Sequence, residues 1–153
     1  MKFRIMSLIL CFVLAFSLLI PSVCYADYGS TIPANASGNR TDIITIKRPE
    51  SLSASTSDKT YTISATGAQG TKIKIYKLDK SADIGRLASS VRSIGASGLY
   101  SCVVDLNNDS NTFIVYAQND SGSQVVNITI NKIKKSTIDR LKSLTVTIKS
   151  FLG

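Results

Sequence analysis

Residues 98–130 read GLYSCVVDLNNDSNTFIVYAQNDSGSQVVNITI, and this stretch decides the fold class. It contains three strand-like runs in which every second side chain is apolar, and two short breaks rich in Asn, Asp, Ser and Gly separate them. Alternation with a period of two is typical of strands that pack one face and expose the other. Asn, Asp and Gly favour tight turns. The stretch therefore predicts three consecutive antiparallel strands.

Three earlier segments alternate in the same way, which raises the predicted total to five or six strands. The side chains expected to point inward are Ile44, Ile46, Tyr61, Ile63, Ala65, Ile73, Ile75, Tyr100, Cys102, Val104, Leu106, Phe113, Val115, Ala117, Val126, Ile128 and Ile130. Two stacked sheets would bury these sets against each other. We therefore predict an all-β protein, an antiparallel β-sandwich.

Residues 80–97 do not fit this pattern. Ile84, Leu87, Val91 and Ile94 are spaced at three, four and three residues, which indicates either a short helix across the sandwich or a loop with one edge strand. Gly85 and the surrounding serines count against the helix.

Residues 1–26 have the layout of a secretory signal peptide. Lys2 and Arg4 precede an uncharged run over residues 5–20, and Cys24 and Ala26 place small residues at the two recognition positions before Asp27. An uncleaved membrane anchor is the alternative, although residues 5–20 are short of the roughly 20 that span a bilayer. Lipidation at Cys24 does not fit, because a lipobox would not place a proline at position 21. We expect a secreted or envelope-associated protein.

The sequence divides the rest of the chain into three parts. Residues 27–41 are rich in Gly, Ser, Asn and Ala without apolar periodicity, and they predict a flexible linker. Residues 42–133 form the predicted sandwich. Cys102 is the one cysteine after the signal segment, so no disulfide is expected within the domain, and its place in the inward pattern predicts a buried thiol.

Residues 134–153 predict a basic amphipathic tail. Ser136 or Thr137 can cap a helix, and its apolar stripe would include Ile138, Leu141, Leu144, Ile148, Phe151 and Leu152. A strand is the alternative, because residues 144–148 alternate and are β-branched. Residues 27–131 hold 10 basic and 9 acidic side chains, whereas residues 132–153 hold 6 basic side chains against Asp139. An anionic partner is therefore expected for the tail.

Residues 44–130 resemble bacterial Ig-like domains, the sandwich modules of many secreted and surface proteins. The resemblance rests on the Ser-Ala-Thr-Gly turn at 64–67, the Ile-Lys-Ile-Tyr strand at 73–76, Asn111 before the penultimate strand, and the turn from Ala117 to Gly122. It implies an Ig-like topology and no catalytic residue. The segment 80–97 departs from the pattern because it is longer than a hairpin connection.

The residues of enzyme chemistry are scarce. The chain has no histidine, its one glutamate is Glu50, and it lacks a Gly-x-Ser-x-Gly elbow and a glycine-rich phosphate loop. Asp105, Asn107 and Asp109 match the start of a calcium loop, but Ser110 and Tyr116 stand where glycine and glutamate are needed. Turn formation accounts better for this string. We expect no enzyme activity, no metal and no cofactor.

Two surfaces are candidates for binding. Lys72, Lys74 and Tyr76 share one strand face and could hold a phosphate polymer or an acidic glycan, although a solvated face with lysines that discourage edge pairing is the simpler interpretation. The basic side chains of the tail could contact a membrane or another anion, and they are Lys134, Lys135, Arg140, Lys142 and Lys149.

Two hypotheses of function follow. The first is an exported, non-enzymatic module that presents loops or sheet edges to a protein or a cell-wall glycan. The second is a peripheral membrane protein, held at an anionic surface by the tail. Nucleic acid is not an expected partner of an exported chain.

Overall fold

The computed structural model describes residues 27–134, 136–137 and 140–141. Its strands, in chain order, are β1 (Thr31–Pro33), β2 (Ile44–Arg48), β3 (Ser53–Thr56), β4 (Thr60–Gly67), β5 (Lys72–Asp79), β6 (Ile84–Leu87), β7 (Arg92–Ser93), β8 (Leu99–Asp105), β9 (Ser110–Asn119) and β10 (Gly122–Lys132). The all-β prediction is confirmed, and each of the six alternating segments coincides with a strand.

The strands form two sheets. The larger has seven strands, in the order β1-β6-β5-β9-β10-β3, and β7 pairs with the beginning of β5. The smaller has the order β2-β4-β8. The pairing is antiparallel except between β3 and β10, which are parallel. The expectation of purely antiparallel sheets is wrong at that pair, because β3 follows a connection that crosses from one sheet to the other.

The predicted inward residues form one apolar core between the two sheets. Ile63 of the smaller sheet and Ile75, Phe113 and Ile128 of the larger sheet have no exposed surface. Tyr61, Cys102 and Val126 pack against this cluster while remaining partly exposed. Removing such alternating apolar faces from water is the main stabilising contribution to a fold of this size.

Residues 80–97 contain β6 and β7 and no helix. Ile94 is 2% exposed, but Ile84, Leu87 and Val91 are 37%, 36% and 48% exposed, so the four side chains do not share a buried face. The helical alternative is therefore wrong. The alternative of a loop with one edge strand is closer to the structure, which has two short strands there. The physical reason is that β5 offers an unpaired edge, with which β6 and β7 both pair.

The N-terminal segment differs most from its prediction. Residues 27–41 were expected to be a flexible linker, yet β1 pairs with β6 and Ile32 is fully buried. Ile32 belongs to a second apolar cluster on the outer face of the larger sheet, together with Tyr76, Ile114 and Tyr116. The folded body therefore begins before residue 42, because this outer face is apolar and needs a cover.

Two glycines allow the N-terminal segment to lie close to the sheet. A Cβ on Gly85 would stand 2.6 Å from Cγ2 of Ile32, and one on Gly38 would stand 2.3 Å from the carbonyl oxygen of Ser123. Neither distance is possible for a real side chain, so both positions require glycine. The segment is also tied to β10 by the Asn39 Oδ1, which accepts a hydrogen bond from the Ser123 N–H at 2.8 Å.

The described part of the tail begins as a helix. Ser136, Thr137, Arg140 and Leu141 have helical backbone, and the Thr137 N–H donates to the Lys134 carbonyl at 2.9 Å. Leu141 is 59% exposed. The rest of the predicted amphipathic helix, and the predicted signal peptide over 1–26, lie outside the described residues.

Candidate ligand-binding cleft

The surface that the sequence predicted on β5 is covered. Lys72 is exposed, but Lys74 is only 9% exposed and Tyr76 has no exposed surface. The interpretation of Lys72, Lys74 and Tyr76 as one open partner surface is therefore wrong. The N-terminal segment occupies that place, because Tyr76 is one of the apolar groups that the segment shields from water.

Hydrogen bonds hold the cover in place. The Lys74 ammonium donates to the Asp27 carboxylate at 2.6 Å and to the carbonyl oxygen of Tyr28. The Tyr76 hydroxyl lies 2.8 Å from the same carbonyl and 3.0 Å from that of Gly29. Burial is the main cause, and the charge of Asp27 the second, of a rise in the pKa of Tyr76 to about 12. Lys74 and Tyr76 thus have structural partners.

A different site lies at one end of the two sheets. It is an open cleft of about 460 Å³ between the turn that joins β5 to β6 and the loop that joins β8 to β9. Basic side chains contribute one wall and uncharged polar residues the other. The residues that matter for binding are Lys77, Lys80, Arg86, Asn107, Asn108 and Ser110.

The charge of the cleft is positive. Lys77, Lys80 and Arg86 oppose one lining carboxylate, that of Asp79. The Asp79 carboxylate accepts hydrogen bonds from the Ser81 hydroxyl at 2.6 Å and from the Ser81 N–H at 3.1 Å. Both bonds lower the pKa of Asp79 below its usual value, and the bond from the Ser81 hydroxyl has the larger effect. The carboxylate therefore stays ionised while it holds the turn between β5 and β6.

Lys77 and Arg86 are held differently. Arg86 Nε lies 3.9 Å from Asp79 Oδ2, a long contact between two exposed groups that contributes little to stability. The Lys77 ammonium donates to the carbonyl oxygen of Asp105 at 3.3 Å, and partial burial lowers the pKa of Lys77. An anion in the cleft could therefore contact the loosely paired guanidinium of Arg86 and the partly desolvated ammonium of Lys77.

Asn111 builds the opposite wall. This side chain is 1% exposed, its Oδ1 accepts a bond from the Asn108 N–H at 3.2 Å, and its Nδ2 donates to the Asn108 carbonyl at 2.6 Å. Such a closed pair of bonds fixes the loop that presents Asn107 and Asn108 to the cleft. Turn formation by this Asn-rich string was predicted, and the structure supplies its hydrogen bonds.

The cleft has the chemistry of an anion-binding site. Ammonium, guanidinium and amide N–H groups are the donors that carboxylates, sulfates and phosphates accept. Among the described residues there is no group of three or more Asp, Glu, Cys or His that could hold a metal ion. Residues 106–109 of the calcium-like string lie in the loop between β8 and β9.

The tail starts beside the cleft. The Lys132 ammonium donates to the Leu106 carbonyl at 3.2 Å, and the Lys132 N–H donates to the Asp109 carbonyl at 2.7 Å. Both acceptors belong to the loop between β8 and β9 that lines the cleft. Lys134 and Arg140 are exposed, while Lys135, Lys142 and Lys149 lie outside the described residues.

Sequence reasoning missed the cleft as a site. Its walls come from the β5–β6 turn and from residues 107–110, which are distant in sequence. One local signal was available: Lys77 continues the inward positions of Ile73 and Ile75, and a lysine at an inward position indicates a strand end that opens to water. Arg86 carried no such signal.

Comparison with known proteins adds no family. The chain matches no model of a protein family and no curated protein. Within the part of the chain that the structure describes, no helix is long and apolar enough to cross a membrane.

Proposed function

We propose that this protein is an exported, non-enzymatic, Ig-like binding module that holds an anionic polymer of the cell envelope in the cleft. One observation carries the proposal: the side chains of Lys77, Lys80 and Arg86 converge on a cavity whose one lining carboxylate is already bound by Ser81. The signal-like segment over 1–26 supports export, and the β-rich fold with Asn111 at the start of the penultimate strand supports the Ig-like class.

The polymer we favour carries phosphates or carboxylates at intervals. The open shape of the cleft admits a chain rather than a small enclosed ligand, and Asn107, Asn108 and Ser110 add neutral hydrogen-bonding groups for hydroxyls or phosphate oxygens. The basic side chains of the tail would extend the positive surface from the same end of the molecule. Binding would weaken as salt screens the charges.

Calorimetric titration of the chain from Asp27 to Gly153 with poly(glycerol phosphate) tests this proposal. Lys80→Gln and Arg86→Gln each remove one charge from the cleft, and we expect a loss of affinity of roughly threefold to tenfold for each at low salt. Lys47→Gln is the matched control, because Lys47 is exposed on β2 outside the cleft. Equal losses in the three variants, or none, would refute a specific site.

A membrane surface is the second candidate partner. The observation in its favour is that Leu141, part of the predicted apolar stripe, is 59% exposed. In this arrangement the apolar stripe would enter the lipid interface while the lysines reach the headgroups.

Vesicle co-sedimentation separates the two candidates. Under the membrane hypothesis the chain binds anionic but not neutral vesicles, salt releases it, and Lys142→Glu with Lys149→Glu weakens binding. Removal of residues 134–153 should abolish it. Persistent vesicle binding after that truncation would contradict the role of the tail.

A further inference from the structure

Strand β8 forms an open edge of the smaller sheet. It is the last strand in the order β2-β4-β8, so one of its sides pairs with β4, and no strand within residues 27–134 pairs with the other. The Leu106 N–H donates to the Lys59 carbonyl at 2.8 Å, and the Gly67 N–H donates to the Gly98 carbonyl at 3.0 Å. In this register the even-numbered residues of β8 bond to β4. The main-chain groups of Leu99, Ser101 and Val103 therefore point to the open edge.

The same three residues carry an exposed and uncharged surface. Leu99 and Val103 are 63% and 62% exposed, Ser101 is exposed between them, and residues 99–104 contain no charged side chain. Proteins normally protect sheet edges with charges, prolines, bulges or short strands. An edge without such protection can pair with a strand of another molecule.

The other outermost strands are protected. β2 ends in Lys47 and Arg48 and has a register irregularity between Ile46 and Arg48. β1 has three residues and ends in Pro33, and β3 has four residues. β8 has seven residues, no proline and no bulge, and its one charged side chain is Asp105 at the end of the strand.

The pattern on β8 complements itself. If two copies run antiparallel about a twofold axis at Ser101, the two Ser101 residues lie opposite each other, and Leu99 of each copy lies opposite Val103 of the other. Each of these pairs joins edge-facing residues, so each can exchange two main-chain hydrogen bonds. An apolar pair on either side of a serine pair is a favourable cross-strand arrangement.

Both ends of the pairing are delimited. The carbonyl of Asp105 already accepts a bond from the Lys77 ammonium at 3.3 Å. The Leu99 N–H donates to the exposed Ser97 hydroxyl at 3.3 Å, a long bond that a main-chain carbonyl of the second copy would replace. The carbonyl of Val103 has only the Cys102 thiol, at 3.5 Å, a weak donor that a main-chain N–H would replace. The available ladder thus spans residues 99–103 and leaves the charge of Asp105 outside.

From this we infer that a second copy of this chain docks on β8, so that the two three-stranded sheets join into one continuous sheet. The occupant is a second copy because the register about Ser101 pairs apolar with apolar and serine with serine on both sides of the axis. The interface is independent of anion binding, because the cleft side chains of Lys80 and Arg86 lie outside the ladder. A single strand pair buries a small area, so a reversible dimer is expected.

Sedimentation velocity of the chain from Asp27 to Gly153, at about 10 μM to 1 mM, tests the interface. We expect a monomer–dimer equilibrium within this range. Val103→Lys should weaken it by about tenfold or more, because a charge at this position must be desolvated in both copies. Thr62→Lys is the matched control: Thr62 lies directly opposite Val103 on β4, away from the open edge. A monomer at every concentration, or dimers that Val103→Lys leaves intact, would overturn the inference.

Disulfide trapping tests the register. In a Cys102→Ala background, which removes the native thiol, Ser101→Cys places two sulfurs on opposed residues with Cα atoms about 5.5 Å apart, within the range for a disulfide. Val103→Cys would leave its two copies about 13 Å apart along the strands. Fast oxidative cross-linking of the first variant and slow cross-linking of the second is the expected result. The reverse order, or no cross-link in either, would contradict the register, and circular dichroism of the parent Cys102→Ala chain shows that the background is folded.

Discussion

The hydroxyl of Tyr76, from the middle of the larger sheet, lies 2.8 Å from the main-chain carbonyl oxygen of Tyr28. This contact spans 48 residues of sequence and converts a segment of linker-like composition into part of the fold. The ring of Tyr28 then packs edge-on against Tyr116, with centroids 5.2 Å apart and ring planes at 87°. The outer apolar face of the larger sheet is thereby closed.

Tyr28→Ala should destabilise the protein by about 1–3 kcal/mol, because the ring contact with Tyr116 is lost and the outer cluster becomes wetter. Tyr28→Phe is the control. It keeps the ring, and the main-chain carbonyl that accepts from Tyr76 is unchanged, so near-native stability is expected. Urea unfolding of both variants measures the difference. Similar stability for the Ala and Phe variants would show that the ring contact contributes little.

Gln124→Ala should cost about 2–4 kcal/mol. The Gln124 Oε1 accepts hydrogen bonds from the N–H groups of Ile43, at 2.8 Å, and Ile44, at 2.9 Å, which join β10 of the larger sheet to the start of β2 in the smaller one. Gln124 is 7% exposed, so truncation leaves two buried donors unpaired.

Gln118→Ala on neighbouring β9 is the matched control for Gln124→Ala, since Gln118 is half-buried and pairs in register with Ser123. We expect a loss below about 1 kcal/mol there. Thermal and urea unfolding provide the comparison. Equal losses in the free energy of unfolding at the two positions would mean that the hydrogen bonds to Ile43 and Ile44 do not stabilise the fold.

The six long strands could be predicted because each has at least one buried face, on which every second side chain is apolar. Ile73 and Ile75 on β5 and Ile128 and Ile130 on β10 are examples, and all four are fully buried. The short strands could not be predicted in this way. β1 and β6 are defined by pairing with each other over some 50 residues of sequence, and residues 31–33 alone have too few positions to show a period.

One signal for the N-terminal cover was present in β9. Phe113, Ile114, Val115, Tyr116 and Ala117 form an unbroken apolar run, which indicates a strand buried on both faces. The run predicts that something covers the outer side, but not what covers it. The cleft was still harder to foresee, because its charge depends on which turns the topology brings to one end. The resemblance to Ig-like domains includes Asn111 as the asparagine before the penultimate strand, yet its hydrogen bonds to Asn108 in the cleft wall are visible only in the structure.

Asn111→Asp should destabilise the loop between β8 and β9 by about 1–3 kcal/mol. The substitution replaces the Nδ2 donor with an oxygen that faces the Asn108 carbonyl at a distance of 2.6 Å, so an attraction becomes a repulsion. Asn108→Ala is the control, because Asn111 bonds only the main chain of Asn108. Amide hydrogen exchange of residues 107–110 measures the effect, and we expect faster exchange in Asn111→Asp alone. Unchanged exchange would contradict the assigned role of Asn111.

Alkaline pH should unfold the protein through its buried tyrosines. Burial is the main reason that the pKa of Tyr76 and that of Tyr100 rise from 10.0 to about 12, and burial also raises the pKa of Tyr116. Between pH 10 and 12 the unfolded phenols release protons that the folded ones retain, so the stabilisation is complete below pH 10 and is lost as the pH rises toward 12. Urea unfolding at about pH 8 to 11 should show midpoint urea concentrations that are constant at first and then fall as the pH rises.

The variant Tyr76→Phe removes one of these titrating groups and should make the fall of the midpoint shallower. It should also lower the free energy of unfolding at about pH 8 by about 1 kcal/mol, because the hydrogen bond of the hydroxyl is lost. An equally steep fall in Tyr76→Phe would place the alkaline sensitivity elsewhere.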